Sequence, residues 1–272
     1  MATGARDHSI AIWSVRGGKL ERTLEGHQRS INALSFTANH ELISADAGGV
    51  VRVWSWPKGK LIHELEGHDG PVYTLGSSPD GSLIASGGRD ETVCVWSAVT
   101  GELIQRLEVG PRGMAFVFAS DGEHLVTGRG GNTLCFWSLE TGELSWVQES
   151  GPGTVGAFEL DRSGEWMVSR GWRGPVTIWS AITWGYTAVL PIVEKGLTAA
   201  TLRPGCEQVV CCYEGGIAVY DAEDGTLLDS AEVASKGVYD LDVAPNGRLA
   251  VTASADALAR IWRLDGSTFD DD

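Results

Sequence analysis

Seven times along the chain a short apolar run ends in an aromatic residue, and the spacing of those aromatics hardly changes. The runs are SIAIW (Trp13), VVRVW (Trp54), TVCVW (Trp96), TLCFW (Trp137), VTIW (Trp179), IAVY (Tyr220) and LARIW (Trp262). Successive aromatics stand 41, 42, 41, 42, 41 and 42 residues apart. A register held through six intervals is a structural repeat, and it constrains the fold more tightly than composition does.

Each unit repeats the same internal order. An alternating run such as VYTLGSS or VYDLDVA leads into a turn (SPDG, ASDG, DRSG or APNG), then a second run such as SLIASGG, HLVTGRG or RLAVTAS. A further turn precedes the aromatic-ended strand, and a hairpin (VTGEL, ETGEL, EDGTL) leads to a fourth strand, as in LIHELEGH. Period-2 alternation, β-branched residues and closely spaced Gly, Asn and Asp turns predict strands throughout. Each unit is then a four-stranded antiparallel sheet, apolar on both faces and unable to bury them alone. Radial stacking covers both faces and hides most edges. The expected fold is all-β, a seven-bladed β-propeller forming one domain over residues 1–266, with an acidic tail at 267–272.

Composition narrows the function classes. The net charge of −15 repels phosphate backbones and anionic bilayers at long range, so neither nucleic acid nor membrane is expected as a direct partner. No stretch approaches the ~20 apolar residues of a membrane-spanning helix. The start, MATGARDHSIAIW, lacks the charged and apolar regions of a signal peptide. The 5 cysteines (94, 135, 206, 211, 212) form no CxxC pair, which fits thiols in a reducing cytoplasm.

The units resemble WD40 repeats: EGH at 25–27 and 66–68, an Asp six residues before the aromatic, and VRVW or VCVW. The resemblance runs over essentially the whole chain and identifies the fold as a WD40-type β-propeller. One departure is regular. The Asp that usually follows the aromatic is Ser at positions 14, 55, 97, 138 and 180, and only Asp221 keeps it. The resemblance implies a hydrogen-bonded structural tetrad of His68, Ser86, Asp90 and Trp96 inside one blade. The rival reading is a hydrolytic His-Asp-Ser triad, which needs an exposed Ser beside an oxyanion hole. Against it, Asp90 corresponds to Asp7 and Asp256 but to Gly48, Gly131, Arg173 and Glu214 elsewhere, so that only one unit carries all four members. No catalytic residue is expected, and the chain is read as a non-enzyme.

No cofactor or metal site is expected either. The 6 histidines form no HxH or HxxxH pair. GRGGN at 128–132 joins two strands and opens no helix that could cradle a phosphate. Cys94 and Cys135 stand two residues before their Trp and read as core thiols. Trp56, Trp146, Trp166 and Trp184, outside the repeated position, read as packing between blades.

In the WD40 family two positions per blade commonly point into the top entrance. The first reads Asn32, Tyr73, Met114, Gly156, Leu197 and Tyr239, and the second Arg6, Ala47, Arg89, Gly130, Trp172, Tyr213 and Ala255. Arg6, Asn32, Tyr73, Arg89, Met114, Trp172, Leu197, Tyr213 and Tyr239 are therefore the expected partner-binding residues. Aromatics and arginines of this kind supply interface hot spots. The expected role is a non-catalytic scaffold that binds a protein or peptide on its top face, as part of a larger complex. The alternative is a propeller enzyme or small-molecule sensor with a ligand in the central channel, which convergent carboxylates or histidines at its mouth would favour.

The chain ends raise a separate expectation. By internal comparison the first unit lacks its innermost strand and the last its outermost. A longer parent chain, a strand supplied in trans by a partner, or a thin seam would each account for this.

Overall fold

The computed structural model of the chain describes residues 1–111, 114–129, 133–149, 157–161, 163–170, 175–190, 196–205, 207–213, 216–232, 237–256 and 258–264. Trp172, Gly130, Gly131, Gly156, Arg173, Glu214 and the tail at 267–272 lie outside the described residues. The fold is an all-β, seven-bladed β-propeller, and its secondary structure among the described residues is strand and turn without helix.

Blade 1 is a three-stranded sheet of β1 (Ala2–Gly4), β2 (Ile10–Trp13) and β3 (Leu20–Leu24). Blade 2 holds β4 (Ile31–Phe36), β5 (Leu42–Asp46), β6 (Val51–Trp54) and β7 (Leu61–Leu65). Blade 3 holds β8 (Val72–Ser77), β9 (Leu83–Gly88), β10 (Thr92–Ser97) and β11 (Leu103–Glu108). Blade 4 holds β12 (Phe116–Phe118), β13 (His124–Gly128), β14 (Thr133–Ser138) and β15 (Leu144–Glu149). Blade 5 holds β16 (Ala157–Leu160), β17 (Trp166–Arg170), β18 (Val176–Ser180) and β19 (Tyr186–Leu190). Blade 6 holds β20 (Ala199–Leu202), β21 (Gln208–Tyr213), β22 (Gly216–Asp221) and β23 (Leu227–Glu232). Blade 7 is again three-stranded: β24 (Val238–Val243), β25 (Leu249–Ser254) and β26 (Ala259–Arg263). Blade 1 has no strand inside β1 and blade 7 none outside β26 among the described residues, the incomplete terminal blades expected from the sequence. The chain divides into two compact units, Met1–Glu149 with blades 1 to 4 and Ser150–Asp272 with blades 5 to 7.

Antiparallel pairing runs without crossover inside every blade. Within the first unit, blades 2 and 3 share a core: Ile43, Ala45, Val51 and Val53 of one meet Val72, Ile84, Cys94 and Trp96 of the next. Within the second, blades 6 and 7 share Val210, Cys212, Ile217 and Val219 with Val238, Leu241, Val243 and Trp262. Burying a Val, Leu or Ile on such a face is worth roughly 1.5–3 kcal/mol, which a sheet wet on either side would forfeit. The third strand of a blade is accordingly apolar on both faces, whereas outer strands such as β11 keep only Leu107 buried.

The repeated aromatic marks a bulge. In six blades the register between third and fourth strand shifts at the step into it, from Ile12/Trp13 to Val219/Tyr220. The bulge ends regular pairing and turns the chain into the following hairpin. The serine that follows the aromatic then opens that hairpin. Ser97 Oγ accepts from the Thr100 N–H at 3.1 Å and Ser138 Oγ from Thr141 at 3.2 Å, as Asp221 Oδ1 accepts from Asp224 at 3.3 Å. A hydroxyl closes the same local turn as a carboxylate, so the Ser-for-Asp departure leaves the geometry intact.

One glycine is fixed by close approach. At Gly49, φ is +95°, and a Cβ there would lie 2.9 Å from the carbonyl oxygens of both His68 and Gly70. The second turn of blade 2 is thereby pressed against the loop that enters blade 3.

Candidate functional site

The histidine loop and the turn between second and third strands lie at one end of a blade, the end where inner strands begin. In blade 3, His68 Nδ1 is 3.0 Å from both Asp90 oxygens and Nε2 is 2.6 Å from Ser86 Oγ. Asp90 also accepts the Asp69 N–H at 2.9 Å and the Thr92 hydroxyl at 3.0 Å. Burial alone would raise the Asp90 carboxyl, but these donors hold it below the usual carboxylate range. Trp96 packs beside His68 with ring centroids 6.0 Å apart.

Blade 2 carries all four members as well, and here the indole bond to the serine is made, which corrects the expectation that only one unit has the full set. His27 Nδ1 lies 2.7 Å from Asp46 Oδ2, His27 Nε2 lies 2.7 Å from Ser44 Oγ, and Trp54 donates its indole N–H to Ser44 Oγ at 2.8 Å. Aligning on the spacing to Trp missed it, because Asp46 stands eight residues before Trp54 and Asp90 six before Trp96. Burial pushes the His27 pKa down, with Asp46 opposing. Ser44 and Ser86 have no exposed surface, so neither hydroxyl is presented to a substrate as a triad nucleophile must be.

The indole bond is the part of the staple that recurs most often. Trp13 donates to Thr3, Trp137 to Thr127, Trp179 to Ser169 and Trp262 to Thr252, all at 2.8–2.9 Å and all to a hydroxyl ten residues upstream. That hydroxyl at a fixed offset was visible in the sequence as Thr3, Ser44, Ser86, Thr127, Ser169 and Thr252. Blade 6 breaks the pattern at both ends at once, with Val210 and Tyr220.

In the first unit hydrogen bonds within and between blades join the expected partner-binding positions. Ser30 Oγ donates to Arg6 O at 3.3 Å, and the Ile31 N–H donates to Ala5 O at 3.1 Å. Asn32 Nδ2 donates to Val72 O at 3.1 Å, and the Arg89 N–H donates to Pro71 O at 2.8 Å. Thr74 Oγ1 donates to Met114 O at 2.5 Å. Arg6, Asn32, Tyr73 and Arg89 are thus neighbours at the starts of β4 and β8, all exposed, with Tyr73 at 43%. Met114 is half-buried and joins them through its carbonyl.

In the second unit Tyr239, at the start of β24, is 61% exposed. Leu197 and Tyr213 are half-buried and pack on the apolar cluster that includes Leu202, Cys211 and Tyr220. Trp172 lies outside the described residues. The inner strands of this unit also carry carboxylates. Thr201 donates to Glu159 Oε1 at 2.7 Å across adjacent blades. Burial raises the Glu159 carboxyl to about 8, with Asp242 and Asp240 pushing the same way and Arg170 opposing. Among the described residues no group of three or more His, Cys, Asp or Glu is placed to hold a metal ion.

Three segments, residues 18–55, 59–97 and 225–263, match the family model described as WD domain, G-beta repeat. The chain is 30% identical over 106 residues to Periodic tryptophan protein 2 of Arabidopsis thaliana, covering 38% of this chain and 12% of that protein. It is 30% identical over 110 residues to Small ribosomal subunit protein RACK1y of Oryza sativa subsp. japonica, covering 40% and 20%. It is 37% identical over 98 residues to Anaphase-promoting complex subunit cdh1 of Dictyostelium discoideum, covering 35% and 13%. The matches therefore span a fifth or less of these relatives' own length. Among solved structures, the crystal structure of the computationally designed Ika8 protein superposes with a TM-score of 0.72 at 27% identity, covering 97% of this chain and 80% of that one.

Proposed function

We propose that this chain, a WD40-repeat β-propeller, is a non-catalytic scaffold that holds a protein or peptide partner at the inner-strand starts of its first unit. Two relatives are named as components of assemblies, a small ribosomal subunit and an anaphase-promoting complex, which supports a role inside a complex. The observation that carries the reading is the exposed Tyr73 at the start of β8, next to the Pro71 and Val72 carbonyls that anchor Arg89 and Asn32. The Tyr73 side chain is left in water, and the two residues before it hold Arg89 and Asn32 in place: the Pro71 carbonyl accepts from the Arg89 N–H and the Val72 carbonyl from the Asn32 amide. Rigid aromatic and arginine anchors bind at small entropic cost.

The histidine-carboxylate-hydroxyl clusters are assigned to stability, because their hydroxyls are buried and their polar groups are consumed by one another. The described cysteines are all buried and outside any disulfide, in keeping with a reducing compartment such as the cytoplasm.

The experiment is affinity capture with the intact chain and a Tyr73→Ala variant of unchanged melting behaviour. The reading expects at least one stoichiometric partner to be retained by the native chain and lost from the variant. An identical set of captured proteins would refute it.

A further inference from the structure

Charge is sorted across the same surface. The carboxylates near the inner-strand starts of the first unit are already engaged. Asp7 accepts from the Ser9 N–H and hydroxyl at 3.0 and 2.6 Å, Asp46 and Asp90 belong to the two staples, and Asp69 pairs with Arg106 at 2.7 Å. Three guanidiniums are not. Arg6, Arg29 and Arg89 are exposed, and none of them forms an ion pair among the described residues.

Their backbones fix where they stand. Arg6 O accepts from Ser30, Arg29 precedes β4 by two residues with its Cγ against the Gly48 turn, and Arg89 is tied to Pro71 just ahead of β8. Apart from the engaged Asp7 and Asp69, the exposed carboxylates of this end lie farther out. Glu25 and Glu66 directly follow the outer strands β3 and β7. Glu91 O accepts the Val109 and Gly110 N–H groups beyond the end of β11. On a chain of net charge −15, the inner-strand end of the first unit thus presents three exposed guanidiniums that have no carboxylate partner among the described residues, with Glu25, Glu66 and Glu91 around them.

Resting on the proposed binding surface, we infer that its occupant is an acidic linear peptide segment of a partner protein. Its Asp or Glu side chains meet Arg6, Arg29 and Arg89, and an apolar or aromatic residue lies on Tyr73. The planar guanidinium fork matches a carboxylate in two-point geometry. The surrounding carboxylates of Glu25, Glu66 and Glu91 oppose a continuous polyanion, which must run past them, and tolerate a short run of charge flanked by neutral residues. The acidic peptide is favoured over nucleic acid on that ground.

The test uses the purified full chain and two short fluorescein-labelled peptides, one alternating Glu with Gly and one Gln with Gly, read by anisotropy. A single-stranded oligonucleotide of thymidine serves as the competing class. The expected result is binding of the Glu peptide at least about tenfold tighter than the Gln peptide or the oligonucleotide, weakening as salt rises. The Arg6→Glu/Arg29→Glu/Arg89→Glu variant should lose that preference while melting like the native chain, since all three side chains are exposed. Equal binding of both peptides, no binding of the Glu peptide, tighter binding of the oligonucleotide, or an unchanged preference in the triple variant would each overturn the inference. Affinity capture separates this from the broader reading. A partner lost on Tyr73→Ala but retained by the triple Arg variant overturns the acidic-peptide assignment alone.

Discussion

Asp46 in blade 2 and Gly88 in blade 3 occupy the same place, two residues after the stapled serine, and each determines what its neighbour two positions on can be. Blade 2 reads Asp46 then Gly48, and blade 3 reads Gly88 then Asp90. A Cβ on Gly88 would lie 2.5 Å from both His68 Nδ1 and Asp90 Oδ1, while one on Gly48 would lie 3.2 Å from Asp46 Oδ1. Either position delivers a carboxylate to the histidine; Gly88 then leaves no room for a Cβ, and one at Gly48 would be tight. Asp46→Gly should cost roughly 2–4 kcal/mol, because His27 and the Gly48 and Val50 N–H groups lose their acceptor. The double exchange Asp46→Gly/Gly48→Asp should recover most of that in urea unfolding. A double variant no more stable than the single one would show that the two geometries are not interchangeable.

Acid should weaken the blade 2 staple. His27 is buried, and its pKa in the folded chain lies below the ordinary 6.5. Below pH 6.5 the unfolded chain takes up a proton that the folded chain refuses, so stability falls as pH drops from 6.5 toward the folded pKa and is fully present above 6.5. The urea midpoint should therefore drop on acidification through this window, and the drop should shrink in His27→Gln. An equally steep pH dependence in the variant would remove His27 as its source.

Glu159 gives the opposite sign. Its folded pKa of about 8 exceeds the ordinary 4.5, so the folded chain keeps a proton that the unfolded chain releases between these values. Stability is therefore lost progressively as pH rises from 4.5 to about 8. Glu159→Gln, which keeps an acceptor for Thr201, should raise the melting temperature by several degrees near the top of that window and change it little at the bottom. A uniform effect across the window would contradict the assignment.

The repeat was legible because every blade must bury both faces, which forces the same apolar positions at the same interval. The incomplete end blades followed from counting residues around Trp13 and Trp262. The blade 2 staple was not legible from spacing, since a carboxylate reaches the same histidine from Asp46 or from Asp90 by turning on different sides of one turn. Nor was the sorting of charge on the binding surface. Repeat position marked Arg6 and Arg89 but not Arg29, and only the three-dimensional pairing of Arg106 with Asp69 shows which guanidiniums are already engaged.

The hydroxyl ten residues before each Trp should matter even where the histidine is gone. Thr252→Val keeps the shape of the side chain but leaves the Trp262 indole N–H, on a residue only 3% exposed, without its acceptor. The expected cost is about 1–2 kcal/mol, with a smaller cost for Thr252→Ser. Equal stability of the valine variant would mean that the bond contributes nothing net.

Site-directed photo-crosslinking tests the central claim most directly. A benzophenone side chain would replace Tyr73, at the inner-strand start of blade 3, or Val99, which is 78% exposed in the hairpin at the opposite end of the same blade. Irradiation of the captured complex should join the partner to position 73 and leave position 99 unlinked. Crosslinking from position 99 alone would place the partner on the other end of the blade and contradict the account.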